Sequence, residues 1–169
     1  MEQLEIRVLR PEDDETSMAL IRRVVTAMRA VGFMQWDDIY PNIDVVRHDI
    51  AAGTAYGAWV GGALAGVVTV DGNQSREYAP VPFEFGGPTM TVHRLAVDPA
   101  MQRRGISARL MDFAEALALE KGSVAMRLDT CEDNTAACGL YFGRGYIQRG
   151  TCHFPRRTFT FLVMEKKLR

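Results

Sequence analysis

The sequence predicts a mixed α/β fold in which one sheet carries helices on both faces. Three observations lead there. Apolar and charged residues alternate in "LEIRVLR" (Leu4–Arg10), as on a half-buried strand. Two longer stretches repeat apolar residues at helical spacing. Between and after them lie β-branched runs bounded by glycine and proline. The order is strand, helix, helix, three strands, helix, strand, helix, two strands. It runs over 169 residues with no internal repeat or low-complexity tract, and that length favours one domain, 1–169, around one core.

Each element has a local reason. Pro11 stops the first strand, and Asp13 and Asp14 are placed to cap the helix that follows. That helix runs from about Glu15 to Val31 with Met18, Ile21, Val25 and Met28 on one face, and Gly32 ends it. After an aromatic stretch, "QWDDIYP" (Gln35–Pro41), the segment "NIDVVRHDIAAG" reads as a short helix closed by Gly53. "AYGAWV" and "ALAGVVTV" are apolar runs joined by Gly61–Gly62, the composition of a tight hairpin. Asp71 to Pro88 mixes Gly, Pro, Asn and Ser and reads as a long irregular loop, a feature that is uncommon and often functional. "TMTVHRLAV" (Thr89–Val97) is a strand, Gly105 to Lys121 a helix with Leu110, Phe113, Ala114 and Leu117 at helical spacing, and "VAMRLDT" a further strand. Asn134 to Phe142 is a short helix ended by "GRG", and "YIQRG" and "FTFLVMEKKL" finish as strands.

Composition removes several classes of function. The formal net charge is -1, so no global pull toward nucleic acid or an anionic membrane exists. No run of about 18 apolar residues is present, and the N-terminus alternates charge (Glu2, Glu5, Arg7, Arg10), unlike a signal peptide; cytoplasm is the expected location. Three cysteines (Cys131, Cys138, Cys152) without CxxC spacing, and scattered histidines (His48, His93, His153), argue against a disulfide framework and a zinc site; no metal is expected.

One stretch invites a sharper question. In "DPAMQRRGISARLM" (Asp98–Met111), Arg103 and Arg104 precede Gly105 between a strand and a long helix. A helix N-terminus presents unpaired amides and partial positive charge, and glycine lets the backbone approach a ligand closely, so the loop suits a phosphate. It equally suits a surface turn with solvated arginines. Neither Gly-Lys-Ser/Thr nor GxGxxG appears, and spacing alone leaves both readings open.

The residues here resemble a family. "HRLAVDPAMQRRGISARLM" looks like the acetyl-CoA-binding segment of the GNAT superfamily of N-acetyltransferases, whose signature is Gln/Arg-x-x-Gly-x-Gly/Ala. This chain reads Gln102-Arg103-Arg104-Gly105-Ile106-Ser107, with serine departing from the usual last position. "RLDTCEDNTAACGLYFGRGYIQRG" resembles the family's later strand, Asn-containing helix start, tyrosine and Gly-aromatic ending, with Asn134, Tyr141, Gly145 and Tyr146 in matching places. The resemblance implies a mixed, mostly antiparallel, splayed sheet and acetyl-CoA as co-substrate. It implies that the backbone of Leu95, Ala96 and Val97 holds the pantetheine arm, the Leu95 amide lying near the thioester carbonyl. The pyrophosphate would rest on Gln102, Arg103, Arg104, Gly105, Ile106, Ser107 and Ala108, and Asn134 would contact the cofactor or serve only as an N-cap. Tyr141 matches the acid that protonates the departing thiolate, or else packs as a core aromatic; an ordinary phenol, near pKa 10, suits the acid role.

On the acceptor side, "QWDDIYP" resembles a variant in a subset of bacterial members. Trp36 and Tyr40 are expected to wall the amine site or to pin the loop to the core, with Asp37 or Asp38 attracting the amine's charge. His93, Glu84 and Glu77 are candidates on that side, and none stands out as the general base. The expected function is N-acetylation of a primary amine by direct attack. The alternative is a non-catalytic acyl-CoA-binding or regulatory domain of the same fold. Nucleic-acid binding through Arg103, Arg104, Arg156 and Arg157 has little support, and a homodimer through the last strand is compatible with the sequence.

Overall fold

The computed structural model describes residues 3–169, so Glu2 of the charged N-terminal stretch lies outside the described residues. The elements follow the expected order: β1 (Leu4–Val8), α1 (Asp14–Ala30), α2 (Ile43–Ala51), β2 (Ala55–Val60), β3 (Ala63–Asp71) and β4 (Thr89–Val97). They continue with α3 (Ile106–Glu120), β5 (Ala125–Cys131), α4 (Thr135–Gly143), β6 (Ile147–Cys152) and β7 (Phe161–Lys167). The strand order is β1-β2-β3-β4-β5-β7-β6. β4 and β5 run parallel, and β1–β2, β2–β3, β5–β7 and β6–β7 are antiparallel, the mostly antiparallel mixed sheet that the family resemblance implied.

The chain divides into two compact units. The first comprises Met1–Val70 and Arg94–Phe113, the second Asp71–His93 and Ala114–Arg169.

In the first unit, β1, β2 and β3 form a meander. Its β2–β3 turn takes both Gly61 and Gly62 at positive φ, 57° and 80°, as a tight two-residue hairpin requires. Met18, Leu20, Ile21, Val24 and Val25 of α1 and Val46 and Ile50 of α2 are buried with Leu9, Leu64, Val67 and Ala96 in one apolar cluster. Capping differs in detail from the expectation. Asp13 is the N-cap of α1 without a side-chain cap bond. Its carboxylate instead accepts from the Arg10 amide at 2.9 Å and from Arg7 Nη1 at 2.9 Å, closing a 3-10 turn over Pro11–Asp13. The Arg7 guanidinium and the Arg10 backbone amide take up the carboxylate in place of a helix amide.

In the second unit, β7 lies between β5 and β6, in register from Ala125↔Lys167 to Cys131↔Phe161 on one side. Buried Met126, Leu128, Val163 and Met164 pack from these strands. The long loop before β4 is irregular except for a 3-10 turn at Arg76–Tyr78, yet it is firmly tied down. Tyr78, 2% exposed, donates its hydroxyl to Asp129 Oδ2 at 2.5 Å. Glu165 of β7, fully buried, accepts from Arg127 Nε (3.1 Å), Arg149 Nε (3.1 Å) and the Glu84 amide (3.0 Å).

Candidate active site

The first unit carries the strand–loop–helix segment that the sequence singled out. Gly66 on β3 has no room for a side chain: an added Cβ would stand 3.0 Å from the Ala96 carbonyl and 3.0 Å from Leu110. Its bare backbone therefore brings β4 and the start of α3 close. After β4, the Asp98 amide bonds the Ala65 carbonyl at 2.9 Å. The Asp98 carboxylate accepts from the Ala100 amide at 2.9 Å and from Arg23 Nε and Nη2 at 2.9 and 2.6 Å. These bonds fix where the loop leaves the strand. Arg103 and Gly105 both adopt positive φ, 61° and 76°. The first bond of the α3 ladder runs from the Arg109 amide to the Gly105 carbonyl at 3.1 Å, so the Gly105, Ile106 and Ser107 amides stand ahead of it. Arg103 and Arg104 are exposed and take no ion-pair partner among the described residues. Left-handed backbone at Arg103 and Gly105, leading amides and two cations without an ion-pair partner among the described residues are the elements from which anion-binding loops are built. Leu95 and Val97 are half-buried and Ala96 is buried at the strand end that leads into it. Gln102 bends back, donating Nε2 to the Val97 carbonyl at 3.4 Å.

The aromatic stretch folds inward. Trp36 is 7% exposed within the apolar cluster, and Tyr40 packs against that cluster. Both rings anchor the loop to the core. The acidic residues of the stretch are engaged locally: Asp37 Oδ1 accepts from the Ile39 and Tyr40 amides at 2.9 and 2.8 Å, and Asp38 pairs with Arg29 at 2.6 Å. The Tyr40 hydroxyl accepts from Arg94 Nη1 at 2.9 Å, and Arg94 Nε donates to Asp49 Oδ2 at 2.7 Å. Thr69 Oγ1 holds the same Asp49 oxygen at 2.8 Å. Sequence reasoning missed this Arg94–Asp49 pair. The available signal was Asp49 itself, a carboxylate between Val46 and Ile50 on the buried stripe of α2.

The second unit holds the remaining candidates. Asn134 is the N-cap of α4, its side-chain oxygen accepting from the Ala137 amide at 3.1 Å. Tyr141 on α4 is 6% exposed and stacks edge-on to Tyr146 at 5.9 Å between centroids. Burial, reinforced by the charge of Asp129, raises its phenol above the ordinary value, so it stays protonated at neutral pH. Asp129 is a second group that the sequence did not flag, since one acidic residue in a strand has no distinguishing pattern. His93 Nε2 lies 3.1 Å from Asp71 Oδ1 and 3.1 Å from the Asn73 carbonyl, both acceptors. That environment places the neutral ring's proton on Nε2 and leaves Nδ1 as the lone-pair nitrogen. Glu84 pairs with Arg149, and Glu77 accepts from Ser75 Oγ at 2.5 Å and from Arg76. The three cysteines are free thiols: burial raises Cys131 and Cys138, and burial with the Asp129 charge pushes Cys152 up to about 12, each away from the thiolate form. Among the described residues no group of three or more His, Cys, Asp or Glu is placed to hold a metal, and no helix is long and apolar enough to cross a membrane.

Known proteins share this fold. N-alpha-acetyltransferase RimI of Mycobacterium tuberculosis is 38% identical over 94 residues, which span 56% of this chain and 52% of that protein. The match thus reaches about half the length of that relative. A GNAT-family acetyltransferase structure from Streptococcus agalactiae superposes with a TM-score of 0.83 at 23% identity, covering 99% of this chain and 97% of that one. The PaiA N-acetyltransferase of Thermoplasma acidophilum, solved in complex with coenzyme A, superposes at 0.70 with 20% identity over 98% and 99% of the two chains. The model of the acetyltransferase (GNAT) family matches residues 19–146, so the chain belongs to that family of acyltransferases.

Proposed function

We propose that the chain, acting as one domain, moves an acetyl group from acetyl-CoA to a primary amine by direct attack. The observation that carries this is the loop from Asp98 to Ser107: leading amides, left-handed Arg103 and Gly105, and two arginines without an ion-pair partner among the described residues, all at the opening of a helix. A diphosphate fits that chemistry, and the N-acetyltransferase relatives and a coenzyme A-bound neighbour support its identity as coenzyme A.

In this reading the amine nitrogen attacks the thioester carbonyl while the Leu95 amide donates to the oxygen that gains charge. The carbon–sulfur bond breaks, and the Tyr141 hydroxyl passes its proton to the departing thiolate. Tyr141 arrives protonated, as an acid must, and the burial that raises its phenol makes it a weaker donor than a free tyrosine. The amine's proton goes to His93 Nδ1, which Asp71 orients as a base is oriented by a carboxylate. Glu84 is engaged by Arg149. Most of the acceleration comes from placement of amine against thioester.

The test is thiol release over a panel of amines and peptide N-termini, with Tyr141→Phe beside the parent. Tyr141→Phe is expected to lower kcat by about 10²-fold or more with coenzyme A affinity retained. His93→Gln is expected to lower kcat by about 10²-fold or more; if it leaves kcat unchanged and Asp129→Asn lowers it instead, the proton acceptor is Asp129. Coenzyme A binding with no turnover across the panel turns the reading toward an acyl-CoA-binding domain.

A further inference from the structure

Arg94 is a β-strand residue in an unusual state. Its φ is 50°, in the left-handed region that a long side chain avoids, and it immediately precedes Leu95. A left-handed residue interrupts strand alternation, so the direction of every following amide depends on how firmly that residue is held. The burial pattern records the interruption: Thr91 and Val92 are buried consecutively, His93 to Leu95 are half-buried, and Ala96 is buried again.

What holds it is specific. The guanidinium reaches two elements at once: Asp49 of α2 at 2.7 Å and the Tyr40 hydroxyl of the aromatic loop at 2.9 Å. Asp49 is pinned by Thr69 Oγ1 on β3, and the side chains of Arg94 and Asp49 are only 15% and 7% exposed. Apolar Leu9, Ile21, Val46 and Val67 line the same small cavity, so little water competes for the pair. A salt bridge serving stability alone would need neither a strained strand residue nor a bond to the loop.

We propose that Arg94 is a positioning residue for acetyl transfer: clamped by Asp49 and Tyr40, it fixes the left-handed step in β4 that aims the Leu95 amide, and ties that aim to the aromatic loop. This rests on the acetyl-CoA reading above. The clamp makes the oxyanion donor a preorganised one, held chiefly through Asp49, and links the aromatic loop to it through the Tyr40 bond. Disturbing the loop bond then degrades amine capture, whereas disturbing the guanidinium degrades the chemical step.

The test joins kinetics to an observable independent of turnover. In 15N-labelled protein the Leu95 amide resonance is followed on addition of coenzyme A and of acetyl-CoA. The parent is expected to show a Leu95 shift with acetyl-CoA beyond that seen with coenzyme A. Arg94→Gln is expected to lose that difference and at least about tenfold in kcat, with the acetyl-CoA KM within about twofold of the parent. Arg94→Lys, which keeps one cationic donor for Asp49, is expected to fall between the two. Tyr40→Phe is expected to raise the amine KM by a larger factor than it lowers kcat. A Leu95 difference that persists in folded Arg94→Gln, or losses in the variants that track melting temperature and fall equally on all parameters, overturns the positioning role. Absence of any Leu95 response in the parent overturns the acetyl-CoA reading itself, and the proposal with it.

Discussion

At the residue scale, the anion loop depends on backbone states more than on side chains. Gly105 has open space where a Cβ would stand, so its glycine is demanded by φ 76° rather than by crowding. Gly105→Ala is therefore expected to cost about 1–2 kcal/mol, the left-handed penalty of an L-residue, and to weaken coenzyme A binding, read by calorimetry, more than it lowers melting temperature. An affinity equal to the parent's would mean the amides at this helix start are not ligands. Ser107 is the departure from the family pattern. Its hydroxyl has no protein partner among the described residues and stands in the first turn of α3, where an anion's oxygens would meet it. Ser107→Gly is expected to lose affinity for coenzyme A; tighter binding would show that the hydroxyl crowds the phosphate.

At the element scale, β7 works as the spine of the second unit through one buried charge. Glu165 is fully buried and binds Arg127 of β5, Arg149 of β6 and the Glu84 amide of the long loop. Arg127 also lies 3.7 Å over the Phe83 ring and donates to the Phe85 carbonyl at 2.7 Å. Glu165→Leu would strand two guanidinium groups and an amide without their acceptor, and is expected to cost about 3–5 kcal/mol in urea unfolding. A loss under about 1 kcal/mol would mean the arginines find water or other partners instead. The same network marks where sequence reading stops. Strand and helix order were legible because periods of 2.0 and 3.6 residues are local, and the turn into α3 because Gly105 and a helix start lie adjacent. The loop was legible only as irregular. Its anchors, Tyr78 to Asp129 and Glu84 to Glu165, join residues with no local pattern between them. Trp36 and Tyr40 show the same limit: composition marks an aromatic loop but not that its rings turn into the core.

For the molecule as a whole, the titrating groups define a pH window with a different cause on each side. Burial alone would raise Asp13, but its bonds from Arg7 and the Arg10 amide outweigh that and leave it below the usual 3.8. Asp71 is likewise lowered, burial being outweighed by the His93 bond. A carboxylate depressed in the fold contributes stability that is complete above its unfolded value and is lost as pH falls through the folded value. The acid limb is thus expected below about pH 4. On the alkaline side the sign reverses. Cys152 is raised from 9.0 to about 12 by burial and by Asp129, and burial also raises Tyr141. Such acids stay protonated in the fold, so their contribution is complete below the unfolded value and declines once the unfolded chain ionises. Stability by urea unfolding is therefore expected to be level between about pH 5 and 8 and to decline above about pH 9. Cys152→Ala should blunt the alkaline decline and Asp13→Asn should flatten the acid one, each leaving the other side in place. An alkaline limb identical in Cys152→Ala would show that the thiol ionises as readily folded as unfolded, and that the burial of Cys152 on β6 carries no electrostatic consequence.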